Sequence, residues 1–157
     1  MKNNFCKASV LSLVGASQAV AAPFSPEAIL PDGSDFTIAV NPYTQESGKA
    51  RKGIIAATLN NVVILNQLLA QENSSAREED IKAVVAAIDQ LIPSLSYVGM
   101  FDFFEPVYWI GQGEQIGRIV TIALYFKHYP EKSTPELKQK VSELIRVANS
   151  SYLLSIV

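Results

Sequence analysis

The chain has little of three chemically useful residues: one cysteine, Cys6, one histidine, His128, and one tryptophan, Trp109. A single thiol cannot close an intrachain disulfide, so the fold must rest on its hydrophobic core. One thiol and one imidazole are also too few for the Cys/His ligand sets of zinc sites, and no metal ligand set is expected. No serine stands in a G-x-S-x-G elbow and no Walker pattern is present. Positive charge is no more abundant: 13 basic residues face 15 acidic ones, a net charge of −2. Nucleic acids bind through clustered Lys and Arg, so they are excluded as partners, and anionic membrane surfaces are disfavoured on the same ground.

The beginning of the chain reads as an export signal. Lys2 and Lys7 supply positive charge, Ala8–Val14 is a short apolar run, and Ala19-Val20-Ala21 is a small-x-small cleavage site. Its polar residues and short length keep it below the roughly 20 apolar residues of a membrane span. Three segments are therefore expected: a signal peptide over 1–21, an extended arm over 22–48 and a helical domain over 49–157. Cleavage after Ala21 removes Lys2 and Lys7, taking the net charge from −2 to −4, and removes Cys6. Two N-x-[ST] sequons, Asn73-Ser74-Ser75 and Asn149-Ser150-Ser151, are candidate glycan acceptors on a secretory route. Asn73, in a polar turn, is the better placed; Asn149 falls within a predicted helix.

The arm carries four prolines (23, 26, 31 and 42) together with Gly33 and Gly48, which disfavours helix. Phe36, Ile38 and Val40 alternate with Thr37 and Ala39 as in a half-buried strand, but no convincing partner strand is visible. The expectation is an extended segment whose apolar side chains peg it to the helices. Asp32-Gly33-Ser34-Asp35 lacks the later ligands of a calcium loop and reads as a turn.

Four helices are predicted beyond the arm. The first runs from Lys49 to Ala70, apolar over so wide an arc that it should be heavily covered. Thr58, Asn61 and Asn66 interrupt that arc and are expected to be satisfied by neighbouring backbone or buried water, the alternative being a polar spot in an internal pocket. Lys49, Arg51 and Lys52 oppose the dipole if they lie in its first turn. The second helix opens on Ser75 and Glu78, which read as a capping box, with Glu79 and Asp80 adding acid to the first turn. Its stripe is Ile81, Val84, Val85, Ile88, Leu91, Ile92 and Leu95, and Pro93 should kink or end it. Pro106 suits the start of a third helix running to His128. Thr134, Pro135 and Glu136 open a fourth, with Leu137, Val141, Leu144, Ile145, Ala148 and Tyr152 as its stripe. Matched lengths of about 19–23 residues predict an all-α fold, an antiparallel four-helix bundle preceded by the proline-rich arm. The apolar end, Leu153 to Val157, is expected to dock on the body.

The unusual stretch runs from Tyr97 to Gly113. The connection Ser96–Glu105 is longer and more apolar than interhelical loops usually are. The helix after it is weakened by Gly111 and Gly113, and a break there would re-aim Tyr108 and Trp109. Gly113-x-x-x-Gly117 also suits close helix packing. Tyr97, Phe101, Phe103, Phe104, Tyr108 and Trp109 are the candidate contact residues for a protein partner or an apolar small molecule or lipid. Asp102, Glu105 and Glu114 lie near Trp109, and a hydrolase using them is the alternative, although Glu114 can also pair with Arg118 at i+4. His128 at a helix end suits the dipole.

Taken together, these features predict a secreted, disulfide-free, non-enzymatic binding protein without cofactor. The signal ending Ala-Val-Ala-Ala-Pro is similar in style to those of small secreted proteins of filamentous fungi. The layout is similar to fungal helical cell-wall and hydrophobic-surface-binding proteins and to host-directed effectors, with no family motif accompanying the similarity. That resemblance implies an extracellular, cell-wall-associated or effector-type role.

Overall fold

A computed structural model describes residues 35–111 and 115–157. The signal segment, Asp32-Gly33-Ser34, Gly113 and Glu114 lie outside the described residues. Among the described residues a hairpin, β1 (Phe36–Val40) and β2 (Ser47–Arg51), is followed by seven helices. These are α1 (Ile54–Leu69), α2 (Ser75–Tyr97), α3 (Met100–Phe103), α4 (Pro106–Ile110), α5 (Ile116–His128), α6 (Pro135–Arg146) and α7 (Ser151–Leu154). A 3-10 turn at Pro130–Lys132 joins α5 to α6.

The hairpin corrects two expectations. β1 has a partner after all, antiparallel, with Phe36 opposite Arg51 and Val40 opposite Ser47. Ser47-Gly48-Lys49-Ala50-Arg51 lacks the β-branched residues that advertise a strand. It is extended because its inner face is small enough to lie on α2. Gly48 sits under the Tyr97 ring, where any Cβ would overlap the ring. Ala50 is buried, and the Ser94 hydroxyl donates to the Lys49 carbonyl at 3.0 Å. Phe36, Ile38 and Val40 therefore face outward and stay exposed, instead of serving as pegs. Lys49 lies 4.6 Å from the centre of the Phe36 ring on that outer face.

Because 47–51 is strand, the first helix starts at Ile54, not Lys49. Gly53, left-handed at φ 77°, makes the turn into it. Lys49, Arg51 and Lys52 thus precede the helix, which removes the conflict with its dipole. Thr58 and Asn61 donate back to the carbonyls of Ile54 and Ala57, one turn earlier. Asn66 does something different: its side-chain oxygen accepts from the Gly117 N–H at 2.8 Å, supplying an acceptor to the first turn of α5.

α2 is the central helix, packed by α1, α5 and the hairpin. All seven residues of its predicted stripe are buried. Its N-cap is Ser74, whose hydroxyl accepts from the Arg77 N–H at 3.2 Å, one residue before the expected Ser75. The capping box does not form, because the Glu78 carboxylate turns to α7 instead. Pro93 does not end the helix, which continues to Tyr97 with its last turn held against β2.

The expected set of four matched antiparallel helices does not form among the described residues. The longer helices have 16, 23, 13 and 12 residues, and the predicted third helix is split into α4 and α5. Lys127 and His128, at the end of α5, meet Asp89 of α2, and Tyr129 lies against Ser96. The start of α5 lies against Val62 and Asn66, in the second half of α1. α5 therefore runs parallel to α2, with α1 antiparallel to both. Between α2 and α5 the described residues 98–111 hold the short helices α3 and α4. α7 docks as expected, with Leu153 fully buried.

Candidate functional site

Gly99, left-handed at φ 74°, ends α2 and turns the chain into α3. A Cβ there would come within 3.1–3.3 Å of Pro42 and Tyr43, so the turn is packed directly on the hairpin loop. From this point the aromatics divide. Phe101 is buried and stacks on Tyr125, ring centres 4.0 Å apart, with Trp109 6.0 Å from Phe101. Phe103 and Phe104 meet edge to face at 4.7 Å and are exposed. Pro106 starts α4 without needing an N–H, and one turn of helix sends Trp109 and Ile110 inward while Val107 and Tyr108 face out.

Three of these aromatics border a groove of about 410 Å³. α1 contributes Ile55 and Leu59. Met100 of α3, Phe104 just after it and the α4 residues Tyr108 and Trp109 form the opposite wall, and Arg118 comes from the first turn of α5. Ile55 and Leu59 are 43% and 45% exposed, and Val63 one turn further is 53% exposed. The wide apolar arc of the first helix is thus not wholly covered, contrary to expectation. Its i, i+4, i+8 row is an open apolar face beside the aromatic turn.

The structure brings together Phe104, Tyr108 and Trp109 from the predicted set. It separates the others: Phe101 belongs to the core, Tyr97 packs over Gly48 beneath the hairpin, and Phe103 stands exposed beside Phe104 without lining the groove. Sequence reasoning missed Ile55, Leu59, Met100 and Arg118. The available signal was that the apolar arc of α1 is too wide for the number of helices able to cover it.

The acidic candidates stand elsewhere. Asp102 accepts a hydrogen bond from the Asn41 side-chain amide at 2.8 Å, and Glu105 is an exposed residue at the start of α4 with no side-chain cap. Neither lines the groove. His128 bonds Asp89 at 2.9 Å, which is a lateral contact to α2. Burial among aromatic rings, with the Asp102 charge adding to it, pushes the Tyr125 hydroxyl far above its ordinary pKa and keeps it neutral. Among the described residues, no group of three or more His, Cys, Asp or Glu could hold a metal ion. No helix among them is long and apolar enough to cross a membrane.

A second polar centre ties the opposite end of the molecule. Arg77 is buried and donates to the carbonyls of Leu68, Leu69 and Asn149 and to the side-chain oxygen of Asn73. The two sequon asparagines thus meet at one guanidinium. Both are exposed, and Asn149 lies at φ 46° between α6 and α7, outside any helix, which corrects the expected placement. Glu78 accepts from the Tyr152 N–H and from the hydroxyls of Ser150 and Ser151. Burial opposes its ionisation, but these hydrogen bonds and the charge of Arg77 together hold its carboxyl below the usual value. The Arg77 guanidinium and the Glu78 carboxylate are thus both partnered within the protein.

Compared with known proteins, the chain matches no family model, no curated protein and no solved structure.

Proposed function

We propose that this is a small secreted, non-enzymatic protein whose groove at Trp109 receives an apolar ligand. The observation that carries this reading is the apolar lining: Ile55, Leu59, Met100, Phe104, Tyr108 and Trp109 converge on one concavity, with four of them substantially exposed to water. A volume of about 410 Å³ lies within the range of roughly 300–1,000 Å³ usual for small-molecule sites. Leaving that much contiguous apolar surface wet has no folding benefit, whereas a ligand would remove it from water. The four longer helices, α1, α2, α5 and α6, serve in this reading as the bundle frame that keeps the groove open.

Export through the signal at 1–21, glycosylation at Asn73 or Asn149, and a cell-wall-associated or effector-type role complete the proposal. A hydrolase built on Asp102, Glu105 or Glu114 is less well supported, since the Asp102 carboxylate is engaged by Asn41.

Trp109 is the sole tryptophan and lines the groove, so its fluorescence reports occupancy directly. Titration with decanol, a neutral apolar probe, should shift its emission to the blue and saturate. Leu59→Asp, which places a charge on the groove wall at an exposed position, should abolish the response while leaving the helical circular dichroism intact. An unchanged emission in the wild-type protein, or an equal response in Leu59→Asp, would overturn the proposal.

A further inference from the structure

Arg118 is the feature of the groove that an apolar site does not need. It is half-buried, it borders the Trp109 wall, and no carboxylate among the described residues pairs with it. It also lies in the first turn of α5, where a cation opposes the helix dipole and where no acidic residue is present to balance it. Its backbone N–H is satisfied by the Gln115 carbonyl at 2.9 Å, so the turn itself is formed, and the side chain is left to the groove. A guanidinium beside a helix N-terminus thus borders an otherwise apolar channel. Among the described residues no negative charge answers that combination.

We infer that the groove takes a single-chain amphiphile with a carboxylate head, a fatty-acid-like ligand, its chain against Ile55, Leu59, Phe104 and Trp109 and its head on Arg118. This rests on the apolar-ligand reading above and deepens it. Charge matching selects the head group. One guanidinium satisfies one carboxylate through paired N–H donors, whereas a dianionic phosphomonoester would leave a charge uncompensated beside apolar walls. Size selects the chain: a volume near the lower end of the usual range suits one acyl chain better than two. The exposed Tyr108, which also lines the groove, brings a hydroxyl as a further hydrogen-bonding group for the head.

The test compares decanoate with decanol, both kept below micelle formation, on the full-length protein through Trp109 emission and calorimetry. In the wild-type protein decanoate should bind about tenfold more tightly than decanol, the advantage of a charge-assisted hydrogen bond over a neutral contact. Raising the salt concentration should shrink that advantage, since the guanidinium is only partly buried. In Arg118→Gln the two probes should bind alike, at the affinity decanol has for the wild type, and circular dichroism should be unchanged. Equal binding of both probes to the wild-type protein overturns the carboxylate assignment and leaves the apolar groove standing, as would a decanoate preference that survives in Arg118→Gln. Binding of neither probe overturns the groove reading itself.

Discussion

The side-chain amide of Asn41 lies 2.8 Å from the carboxylate of Asp102, while it also donates to the Ser96 carbonyl at 2.7 Å. Asn41 is fully buried, and its own side-chain oxygen accepts from the N–H groups of Tyr43 and Thr44. One residue therefore shapes the hairpin loop, closes the end of α2 and holds α3 in place. Because α3 and Phe104 form part of the groove, the bond from Asn41 sets where the aromatic wall stands.

Asn41→Ala should consequently destabilise the protein by about 2–4 kcal/mol, since it leaves several buried partners without their hydrogen bonds. Urea unfolding followed by circular dichroism measures this. The Trp109 emission of the folded variant should shift as well, because the α3 turn loses its tether to the hairpin.

Arg77 is the next sensitive point. Its guanidinium, with the side chain 2% exposed, closes the end of α1 through the Leu68 and Leu69 carbonyls and holds the turn between α6 and α7 through the Asn149 carbonyl. Arg77→Met keeps much of the volume but removes every donor. A loss on the order of 3–5 kcal/mol is expected from breaking a buried charged network, read as a lower urea midpoint.

Glu78 predicts how that end responds to acid. Its folded carboxyl holds its proton less tightly than the value of 4.5 expected of a free one. The stability it contributes is therefore complete above the unfolded pKa and is lost as pH falls through the lower folded value. Melting temperature should drop as pH goes below about 4.5, and Glu78→Gln should be less stable at neutral pH with a shallower acid dependence. Parallel wild-type and variant curves would show that other carboxylates control acid unfolding.

Gly117 tests the crossing of α1 and α5. A Cβ at this position would lie 2.7 Å from the Val62 carbonyl oxygen, a backbone atom that cannot move without shifting α1. Gly117→Ala should cost about 1–3 kcal/mol despite the better helix propensity of alanine. A stabilised variant would mean that the two helices can separate freely.

Much of the helical structure was legible in the chain. Periodicity located the buried stripe of α2 residue by residue, and Thr134 followed by Pro135 marked the start of α6, where the Thr134 hydroxyl accepts from the Leu137 N–H. Gly111 signalled the end of α4, and Gly117 makes a close approach to α1, while Gly113 lies outside the described residues. Ser47–Arg51 was not legible as a strand, because its conformation comes from the surface of α2 and the Tyr97 ring above Gly48. Ser75 and Glu78 had the spacing of a capping box, but α7, 72 residues or more away, offered Glu78 three donors. The aromatic segment announced itself by composition, yet a one-dimensional pattern could not separate Phe101, in the core, from Phe104, in the groove.

Cysteine scarcity, the acidic balance and the spacing of apolar residues come from the sequence alone, because covalent options, net charge and local periodicity are properties of the chain itself. Which apolar residues remain exposed was decided by tertiary structure. Ile55 and Leu59 belong to the same amphipathic pattern as buried Leu65, and the placement of α3 and α4 leaves them exposed beside the groove, with no described helix over them. Arg118 likewise is an ordinary surface cation by sequence. Packing α5 against α1 through Gly117 is what brings it to the end of an apolar groove.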